Sequence, residues 1–282
     1  MDSDVSEGRL TPTQTARLLR SMGHVPNRRL GQNFLVDANI VGKSLDYARV
    51  CPADSVVEVG PGLGTLTGAL LARGARVYAV ELDAELFGHL SKIFAGVKNF
   101  SLINADAVER PLADLPADIA EYKIVSNLPY SISTPWLDAV LSEPRLPSRM
   151  SLMLQKEAAE RFCAAANTGE YSPISVFLSG AYVLECSHKV AAQCFYPRPA
   201  VDSVLASFRL LENPYIFSSA AKGLIRKIFL KRRKQIGSIA RSAGADAEIL
   251  SAWLDSCDGL NPESRPQAIE MRHWKALNEM AK

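Results

Sequence analysis

An alternation of short strands and helices beginning at Ser55 is the feature that most restricts the fold of this 282-residue chain. Strand-type stretches rich in Val and Ile are followed by helix-type stretches: "SVVEVG" with "LGTLTGALLARG", "RVYAVEL" with "DAELFGHLSKIF", then "FSLINAD", and "YKIVSN" with "STPWLDAVLSE". Short strands that alternate with helices form parallel sheets covered by helices on both faces. The sequence therefore predicts an α/β domain built on a parallel sheet.

The last part of the chain has a different pattern. Two more strands are predicted, "YVLECSHKV" and "SVLASFRL", but after residues 212–214 only helix-type stretches follow. Ahead of the sheet, "TPTQTARLLRSMG" predicts a short helix with a Thr cap, Pro12 in its first turn and Gly23 at its end, and a second helix is predicted after Asp37. We therefore predict a domain boundary near residue 213.

Composition excludes several classes of protein. The five cysteines are scattered and without a C-x-x-C pair, which predicts reduced thiols in a cytoplasmic protein and no structural zinc site. The four histidines are equally dispersed, so no metal centre is predicted. No apolar run approaches the roughly 18 residues of a membrane span, and the polar, acidic N-terminus does not resemble a signal peptide. Nothing in the sequence indicates an obligate oligomer, so a monomer is predicted.

The stretch "VVEVGPGLGTLTGAL" combines a strand, a glycine-rich turn and a helix. Glycines let the backbone approach a ligand closely, and helix N-termini attract polar or negative groups. The dinucleotide fingerprint G-x-G-x-x-G would require glycine at the position of Thr65, but the third glycine comes one residue early, at Gly64. With Gly60 and Gly62 in the turn and Glu58 just before it, the pattern favours a nucleoside ligand without a diphosphate.

Three polar side chains follow at the ends of successive predicted strands. Glu81 lies 21 residues after Gly60, Asp106 lies 25 residues after Glu81, and Asn127 lies 21 residues after Asp106. Ligands of open α/β sheets bind at the carboxyl ends of the strands, where Glu81 can accept hydrogen bonds from two ribose hydroxyls and Asp106 one from the adenine amino group. Acids such as Asp83 and Asp106 are also able to cap helices, but the register of all three groups behind a glycine loop favours S-adenosylmethionine.

The fourth predicted strand ends in "SNLPYSISTPW", residues 126–136. One interpretation is an ordinary turn, because Asn and Pro are both turn residues. The other is that Asn127, Leu128, Pro129 and Tyr130 are presented there to grip a planar amino group. The residues alone leave both interpretations open.

Positive charge is concentrated in the C-terminal part. Residues 213–282 contain 12 Lys and Arg against 7 Asp and Glu, and Lys222 to Arg241 contain 8 basic residues and no acidic one. A charge run is more often a solvated helix face than a binding site. Eight charges of one sign on amphipathic helices favour a polyanion-binding surface, either nucleic acid or an acidic membrane.

Nine motifs, in order, resemble the bacterial small-subunit ribosomal RNA adenine dimethyltransferases, the KsgA family. They are "LGQNFL" (30–35), "VVEVGPGLGTLT" (56–67), "VELD" (80–83), "NAD" (104–106), "NLPYSISTP" (127–135), "LMLQKEAAERF" (152–162), "YSPISV" (171–176), "FYPRPAVDS" (195–203) and "RRKQI" (232–236). The resemblance implies a Rossmann-like S-adenosylmethionine-dependent methyltransferase sheet (28–212) with a smaller all-helical RNA-binding domain (213–282). It leaves residues 1–27 as an N-terminal extension without an assigned role.

The resemblance also implies a reaction and a set of site residues. The family transfers methyl groups to N6 of two adjacent adenosines in the 3′-terminal hairpin loop of 16S RNA, within the 30S subunit or its precursor. Asn127 and the Leu128 carbonyl are then the acceptors for the N6 hydrogens, while Pro129 stiffens the turn. The remaining implied residues are Tyr130 and Phe195 stacking on the target base, Asn33 and Leu35 with Gln32 nearby at the methionine end of the cofactor, and Lys227, Lys231, Arg232, Arg233 and Lys234 on RNA. The alternative for Phe195 is a core position, which is the commoner one for a Phe.

Three rival functions remain at this point. The nearest is an Erm-type enzyme acting on large-subunit RNA, against which "FYPRPAVDS" and the long helical tail argue. A DNA adenine methyltransferase would more often carry an Asp-Pro-Pro-Tyr type motif and a target-recognition insert. A ribosome-assembly factor, for which binding is the main task, is compatible with methylation. No membrane partner is expected once the resemblance is taken into account.

Overall fold

The computed structural model describes residues 10–281 of the chain. Nine strands are described within that range, and seven of them form the main sheet. The strands are β1 (Phe34–Leu35), β2 (Ser55–Val59), β3 (Arg76–Glu81), β4 (Phe100–Asn104), β5 (Lys123–Asn127), β6 (Arg149–Gln155), β7 (Tyr182–Val190), β8 (Phe195–Tyr196) and β9 (Ser203–Leu210).

The main sheet has the strand order β4-β3-β2-β5-β6-β9-β7. The first four neighbouring pairs are parallel, and β9 runs antiparallel to β6. The predicted α/β fold with a largely parallel sheet is therefore confirmed. Because β2, β3, β4 and β5 are parallel neighbours in register, their carboxyl ends all lie along one edge of the sheet, where ligands of such sheets bind. A separate antiparallel pair joins β1 to β8.

Eleven α-helices are described in residues 10–281. They are α1 (Pro12–Met22), α2 (Ala38–Tyr47), α3 (Thr65–Ala72), α4 (Ala84–Ile93), α5 (Ser133–Val140), α6 (Lys156–Phe162), α7 (Pro173–Ala181), α8 (Ser219–Leu230), α9 (Ile236–Arg241), α10 (Ala247–Ser256) and α11 (Met271–Met280). The predicted start signals are confirmed for the first two. Thr11 caps α1 in a capping box with Gln14, and the Asp37 carboxylate accepts the backbone N–H groups of Asn39 and Ile40.

Two apolar clusters pack against the sheet. One contains residues of α2 and α3 together with sheet residues such as Val77 and Ala79. The other joins Leu18 and Leu19 of α1 to Phe34, Leu63 and residues of α4. The described part of the predicted N-terminal extension is therefore packed into the sheet unit, since its helix supplies core side chains.

The described chain divides into two compact units. One contains the residues up to Ala159 together with Val183–Leu210, and the other contains Glu160–Tyr182 together with the residues from Leu211 onward. This division differs from the predicted continuous range 28–212, because the segment 160–182 belongs with the helical unit. The reason is packing: the ring of Tyr171 lies 5.9 Å from that of Phe229, and the ring of Phe177 lies 5.6 Å from that of Phe217.

The helical unit has an aromatic core of its own. Trp253 stacks on Trp274 with ring centroids 5.5 Å apart, and Phe229 lies 5.6 Å from the same Trp274. Both indole N–H groups donate to backbone carbonyls, so these buried rings leave no donor unpaired. Within residues 10–281, none of the helices has the length and apolar character that a membrane crossing requires.

Candidate functional site

The glycine turn after β2 leaves no room for side chains. Gly60 and Gly62 have φ angles of 62° and 60°, which residues with a Cβ rarely adopt. A Cβ on Gly60 would lie 2.8 Å from Cγ of Pro129, and one on Gly62 would lie 3.0 Å from the Phe34 ring. The turn therefore packs directly against the segments that carry "NLPY" and "GQNFL".

Glu81, the last residue of β3, is 6% exposed and is held by the backbone at both oxygens. Oε2 accepts the Gly62 N–H at 3.0 Å, and Oε1 accepts the Asp83 N–H at 3.0 Å. Burial raises the pKa of Glu81, against the opposing effect of these backbone N–H groups. A carboxylate oxygen can accept more than one hydrogen bond, so both oxygens remain capable of binding hydroxyl groups.

Glu58 lies beneath the glycine turn and is fully buried. The Thr67 hydroxyl donates to its Oε2 at 2.6 Å. Burial raises the pKa of Glu58 to about 8, which the Thr67 bond opposes and the nearby Glu81 carboxylate reinforces. Burial therefore favours the protonated form of Glu58, whereas both oxygens of Glu81 are held by backbone N–H groups.

Asp83 and Asp106 were both considered as helix caps, and in the described residues this role applies to Asp83. Oδ1 of Asp83 accepts the N–H groups of Glu85 and Leu86 and so caps α4. Oδ1 of Asp106 accepts the Val108 N–H at 2.8 Å in a turn, two residues beyond the end of β4. Asp106 also lines the cavity described below.

Asn127 and Tyr130 are both held by hydrogen bonds from their side chains. The Asn127 Nδ2 donates to the backbone carbonyl of Asn33 at 2.8 Å, which directs its Oδ1 away from that carbonyl. The Tyr130 hydroxyl lies 2.6 Å from the hydroxyl of buried Ser203. Burial raises the pKa of Tyr130, with the Ser203 bond acting in the opposite direction, so the phenol is neutral at physiological pH.

One open cavity at the carboxyl edge of the sheet collects every predicted catalytic and cofactor residue except Phe195. Those that line it are Asn33, Leu35, Gly60, Gly62, Glu81, Asp106, Asn127, Leu128, Pro129 and Tyr130. These residues come from five separate segments of the chain. The arrangement combines backbone-anchored carboxylates for a polar ligand with an oriented amide and an aromatic ring.

Phe195 has a different position from the one that the resemblance implied. It is 3% exposed, pairs with Leu35 between β8 and β1, and belongs to the core cluster of α2 and α3. In this structure it occupies the core position that is the commoner one for a Phe. Its stacking on a target base stays a prediction.

The basic residues of the helical unit differ in availability. Lys227 pairs with Asp246 at 2.6 Å, Lys231 donates to the Ser242 carbonyl, and Arg232 donates to the Gly169 carbonyl at 2.6 Å. Arg233 and Lys234 are exposed in the turn between α8 and α9. Lys222 is 3% exposed and therefore does not contribute to the surface.

His24, Glu85 and Ser203 lie near the cavity and were given no role by the sequence reasoning. His24 bonds to Gln32, which lines the cavity and in turn donates to the Asp83 carboxylate. His24, Asp83 and Glu85 place ligand-type atoms within 4.8 Å of one another, although the histidines are dispersed in sequence. No local pattern marks His24, whereas Ser203 lies inside "FYPRPAVDS" and was not given a role.

The parallel sheet, the glycine turn and the carboxylates at the ends of its strands define a Rossmann-like methyltransferase, a class whose methyl donor is S-adenosylmethionine. The family model for ribosomal RNA adenine dimethylase matches residues 23–255. The chain belongs to the ribosomal RNA adenine dimethylase family and is a methyltransferase.

Two sequence relatives and two solved structures illustrate the similarity. Ribosomal RNA small subunit methyltransferase A of Opitutus terrae is 53% identical over 273 residues, which is 95% of this chain and 98% of the relative. The protein of the same name from Moorella thermoacetica is 36% identical, with coverage of 95% and 96%. A dimethyladenosine transferase from Plasmodium falciparum has a TM-score of 0.68 at 23% identity, covering 86% of this chain and 95% of that one. The 23S rRNA methyltransferase ErmE has a TM-score of 0.59 at 25% identity, with coverage of 88% and 99%.

Proposed function

We propose that this protein dimethylates N6 of two adjacent adenosines in the 3′-terminal hairpin loop of small-subunit ribosomal RNA. It acts as a cytoplasmic monomer on the 30S subunit or its precursor, uses S-adenosylmethionine and needs no metal. The observation that carries the proposal is the Asn127 amide. Its nitrogen is tied to the Asn33 carbonyl, in the cavity that Glu81 and Asp106 also line.

The cavity fits S-adenosylmethionine by its donors and acceptors. The glycine turn brings backbone to the cavity lining without side chains, and Glu81 offers two fixed oxygens for the ribose hydroxyls. Asp106 would accept from the adenine amino group, while Asn33 and the Leu35 backbone would hold the methionine end. When bound, this cofactor supplies an electrophilic methyl group on a sulfonium.

Asn127 and its neighbours would act on the target adenine. The exocyclic nitrogen is a weak nucleophile because its lone pair is delocalised into the ring. Asn127 Oδ1 and the Leu128 carbonyl would accept hydrogen bonds from the two N–H groups of this nitrogen. These bonds would draw the nitrogen toward tetrahedral geometry and free its lone pair. Tyr130 would stack on the base, for roughly 1–3 kcal/mol, and Pro129 would stiffen the turn. No general base is required early, since the N–H becomes acidic only as the methyl arrives. The new N–C bond would form as the methyl–sulfur bond breaks to leave a neutral thioether, and the nitrogen would then lose one proton to solvent. Orientation alone is able to supply roughly 7–11 kcal/mol of the barrier.

An Erm-type activity on large-subunit RNA is the second candidate. The similarity to ErmE favours it, because it extends over 88% of this chain and 99% of that one. The 53% identity to a small-subunit methyltransferase over nearly the whole chain favours the first proposal. An assembly role, in which binding to an immature subunit precedes methylation, is compatible with that proposal.

The test is transfer of labelled methyl groups to four substrates: unmodified small subunits, naked small-subunit RNA, large subunits and duplex DNA. We expect incorporation to be highest with unmodified small subunits and to stop at four methyl groups per subunit, two on each adenosine. Preferential labelling of large subunits would favour the Erm-type activity and contradict the proposal.

We further propose that the helical unit binds the RNA backbone through its exposed basic residues. Reversing the charge of Arg233 and Lys234 to Glu is expected to weaken binding to small subunits and to flatten its salt dependence, because fewer counterions are released. Arg232 is left unchanged because it holds the Gly169 carbonyl. The measurement is retention of the protein on immobilised small subunits at two salt concentrations.

A charge-matched control is Lys92→Glu with Lys98→Glu, two exposed lysines of the sheet unit. This control changes the net charge by the same amount as the Arg233/Lys234 variant. It is expected to bind small subunits more strongly than that variant does. Equal retention of the Arg233/Lys234 variant and the wild-type protein at both salts would rule out the RNA-binding surface. Liposome flotation of both variants distinguishes a membrane surface from RNA.

A further inference from the structure

A buried polar group links the N-terminal segment to the edge of the candidate cofactor cavity. His24, two residues after α1, is 7% exposed. Its Nδ1 lies 2.7 Å from Oε2 of Glu85, and its Nε2 lies 3.1 Å from Oε1 of Gln32. Gln32 in turn donates from Nε2 to the Asp83 carboxylate at 2.8 Å. One histidine therefore connects the start of α4 with the segment that carries "GQNFL".

The hydrogen bonds determine the protonation state of His24. Gln32 accepts the Asn27 N–H through Oε1 and faces the Asp83 carboxylate with Nε2, so its amide orientation is fixed from both ends. His24 consequently faces an acceptor oxygen at each ring nitrogen. A neutral imidazole has one N–H and the imidazolium has two, so only the charged form makes both bonds.

The charged groups facing His24 favour this form. They are the carboxylates of Glu85 and of Asp83, the latter 3.9 Å from Nε2. Burial lowers the pKa of His24, but the bonds to Glu85 and Gln32 and the two negative charges together outweigh it, and the pKa is raised. The extra stabilisation is present below the ordinary histidine value of about 6.5 and is lost as the pH rises through the raised value.

One peptide bond and one hydrogen bond connect this polar group to the candidate catalytic amide of Asn127. Gln32 is followed directly by Asn33, whose carbonyl accepts the Asn127 Nδ2. Directly after Asn33 the chain continues into β1, which is held by its pairing with β8. A shift of Gln32 would therefore move the one described acceptor that determines the orientation of the Asn127 amide.

We propose that His24, as an imidazolium, is a positioning residue for methyl transfer: it fixes Gln32 and thereby holds the Asn33 carbonyl where it orients Asn127. The inference rests on the catalytic role proposed above for Asn127. His24 does not line the cavity, and it acts only through Gln32 and the backbone that follows.

The test follows the side-chain amide resonances of Asn127 by NMR in the free full-length protein, assigned by comparison with Asn127→Ala. In the wild-type protein we expect them to shift as the pH rises from 6 to 9, together with the ring resonances of His24. In His24→Ala the resonances should have the high-pH positions throughout. In Glu85→Gln, which keeps an acceptor but removes a charge, the transition should move to lower pH.

His24→Gln serves as a conservative variant because its amide has two N–H donors for the two acceptors. It should restore the wild-type low-pH amide positions without the titration. His188→Gln is the matched control, since His188 lies on edge strand β7, separated from β3 by four strands. In His188→Gln the Asn127 amide resonances should shift with pH as they do in the wild-type protein.

Methyl transfer gives the second measurement. His24→Ala is expected to lower kcat by about 10- to 100-fold, on the scale of a small misplacement of a catalytic group, with the KM for small subunits within about threefold. Asn127 resonances that do not titrate in the wild-type protein would overturn the proposal, and this holds even if His24→Ala fails to fold. A normal titration in a wild-type protein that does not methylate small subunits would overturn the proposed function instead.

Discussion

Asn127→Ala is expected to reduce methyl transfer to unmodified small subunits by at least about 100-fold, on the scale of losing one preorganised polar contact at a reacting centre. The variant lacks the oxygen that would accept an N6 hydrogen, and it leaves the Asn33 carbonyl without its Asn127 donor. Affinity for S-adenosylmethionine should stay within several-fold, because Glu81 and the glycine turn are unchanged. Single-turnover rates with labelled cofactor provide the measurement.

Asn39→Ala is a suitable control for this variant. Asn39 is exposed in the first turn of α2 and lies outside the cavity. The Asn39→Ala protein should methylate small subunits at the wild-type rate. A purified, folded Asn127→Ala protein with near wild-type activity would show that the amide does not grip the target nitrogen.

Glu81→Ala is expected to act mainly on cofactor binding. Loss of a charged acceptor for the ribose hydroxyls should weaken S-adenosylmethionine binding by roughly 1.5–3 kcal/mol, about 10- to 150-fold in Kd. The structure adds a second cost, because the N–H groups of Gly62 and Asp83 lose their acceptor. Isothermal titration calorimetry on the free protein measures the effect.

Two variants separate these contributions. Glu81→Gln keeps one acceptor oxygen and removes the charge, so its affinity should fall between those of the wild-type protein and Glu81→Ala. Glu121→Ala removes an exposed acid outside the cavity and should bind as the wild-type protein does. Unchanged cofactor affinity in Glu81→Ala would assign Glu81 a purely local structural role.

The strand ends were predictable because they depend on local periodicity. Alternation of strands and helices, and the spacing of Glu81 and Asp106 behind the glycine turn, placed these groups at one edge of a parallel sheet. The side-chain partner of Asn127 was not predictable, because the Asn33 carbonyl is 94 residues away in sequence and any residue type there would offer a carbonyl. The role of His24 was not predictable for a similar reason, since its partners come from α4 and from the "GQNFL" segment.

Burial of individual aromatic residues was the least predictable property. Tyr130 directly follows Pro129, and Phe195 lies two residues before Pro197. Despite these similar contexts, Phe195 is buried in the core and Tyr130 lines the cavity. The partners that decide this come from distant segments, Leu35 for Phe195 and Ser203 for Tyr130. The grouping of residues 160–182 with the C-terminal helices likewise depends on long-range ring contacts.

The chain enters the helical unit twice, first with residues 160–182 and again after residue 210, and this has a consequence for synthesis on the ribosome. Tyr171 and Phe177 are made long before their partners Phe229 and Phe217. Phe217 follows Phe177 by 40 residues and Phe229 follows Tyr171 by 58, which at about 5–20 residues per second take about 2–12 s to appear. During that interval the first segment presents unpaired apolar rings to the cell. A nascent chain of this kind is a candidate for chaperone binding at residues 160–182, and a message truncated after β9 would yield a product that cannot bury them.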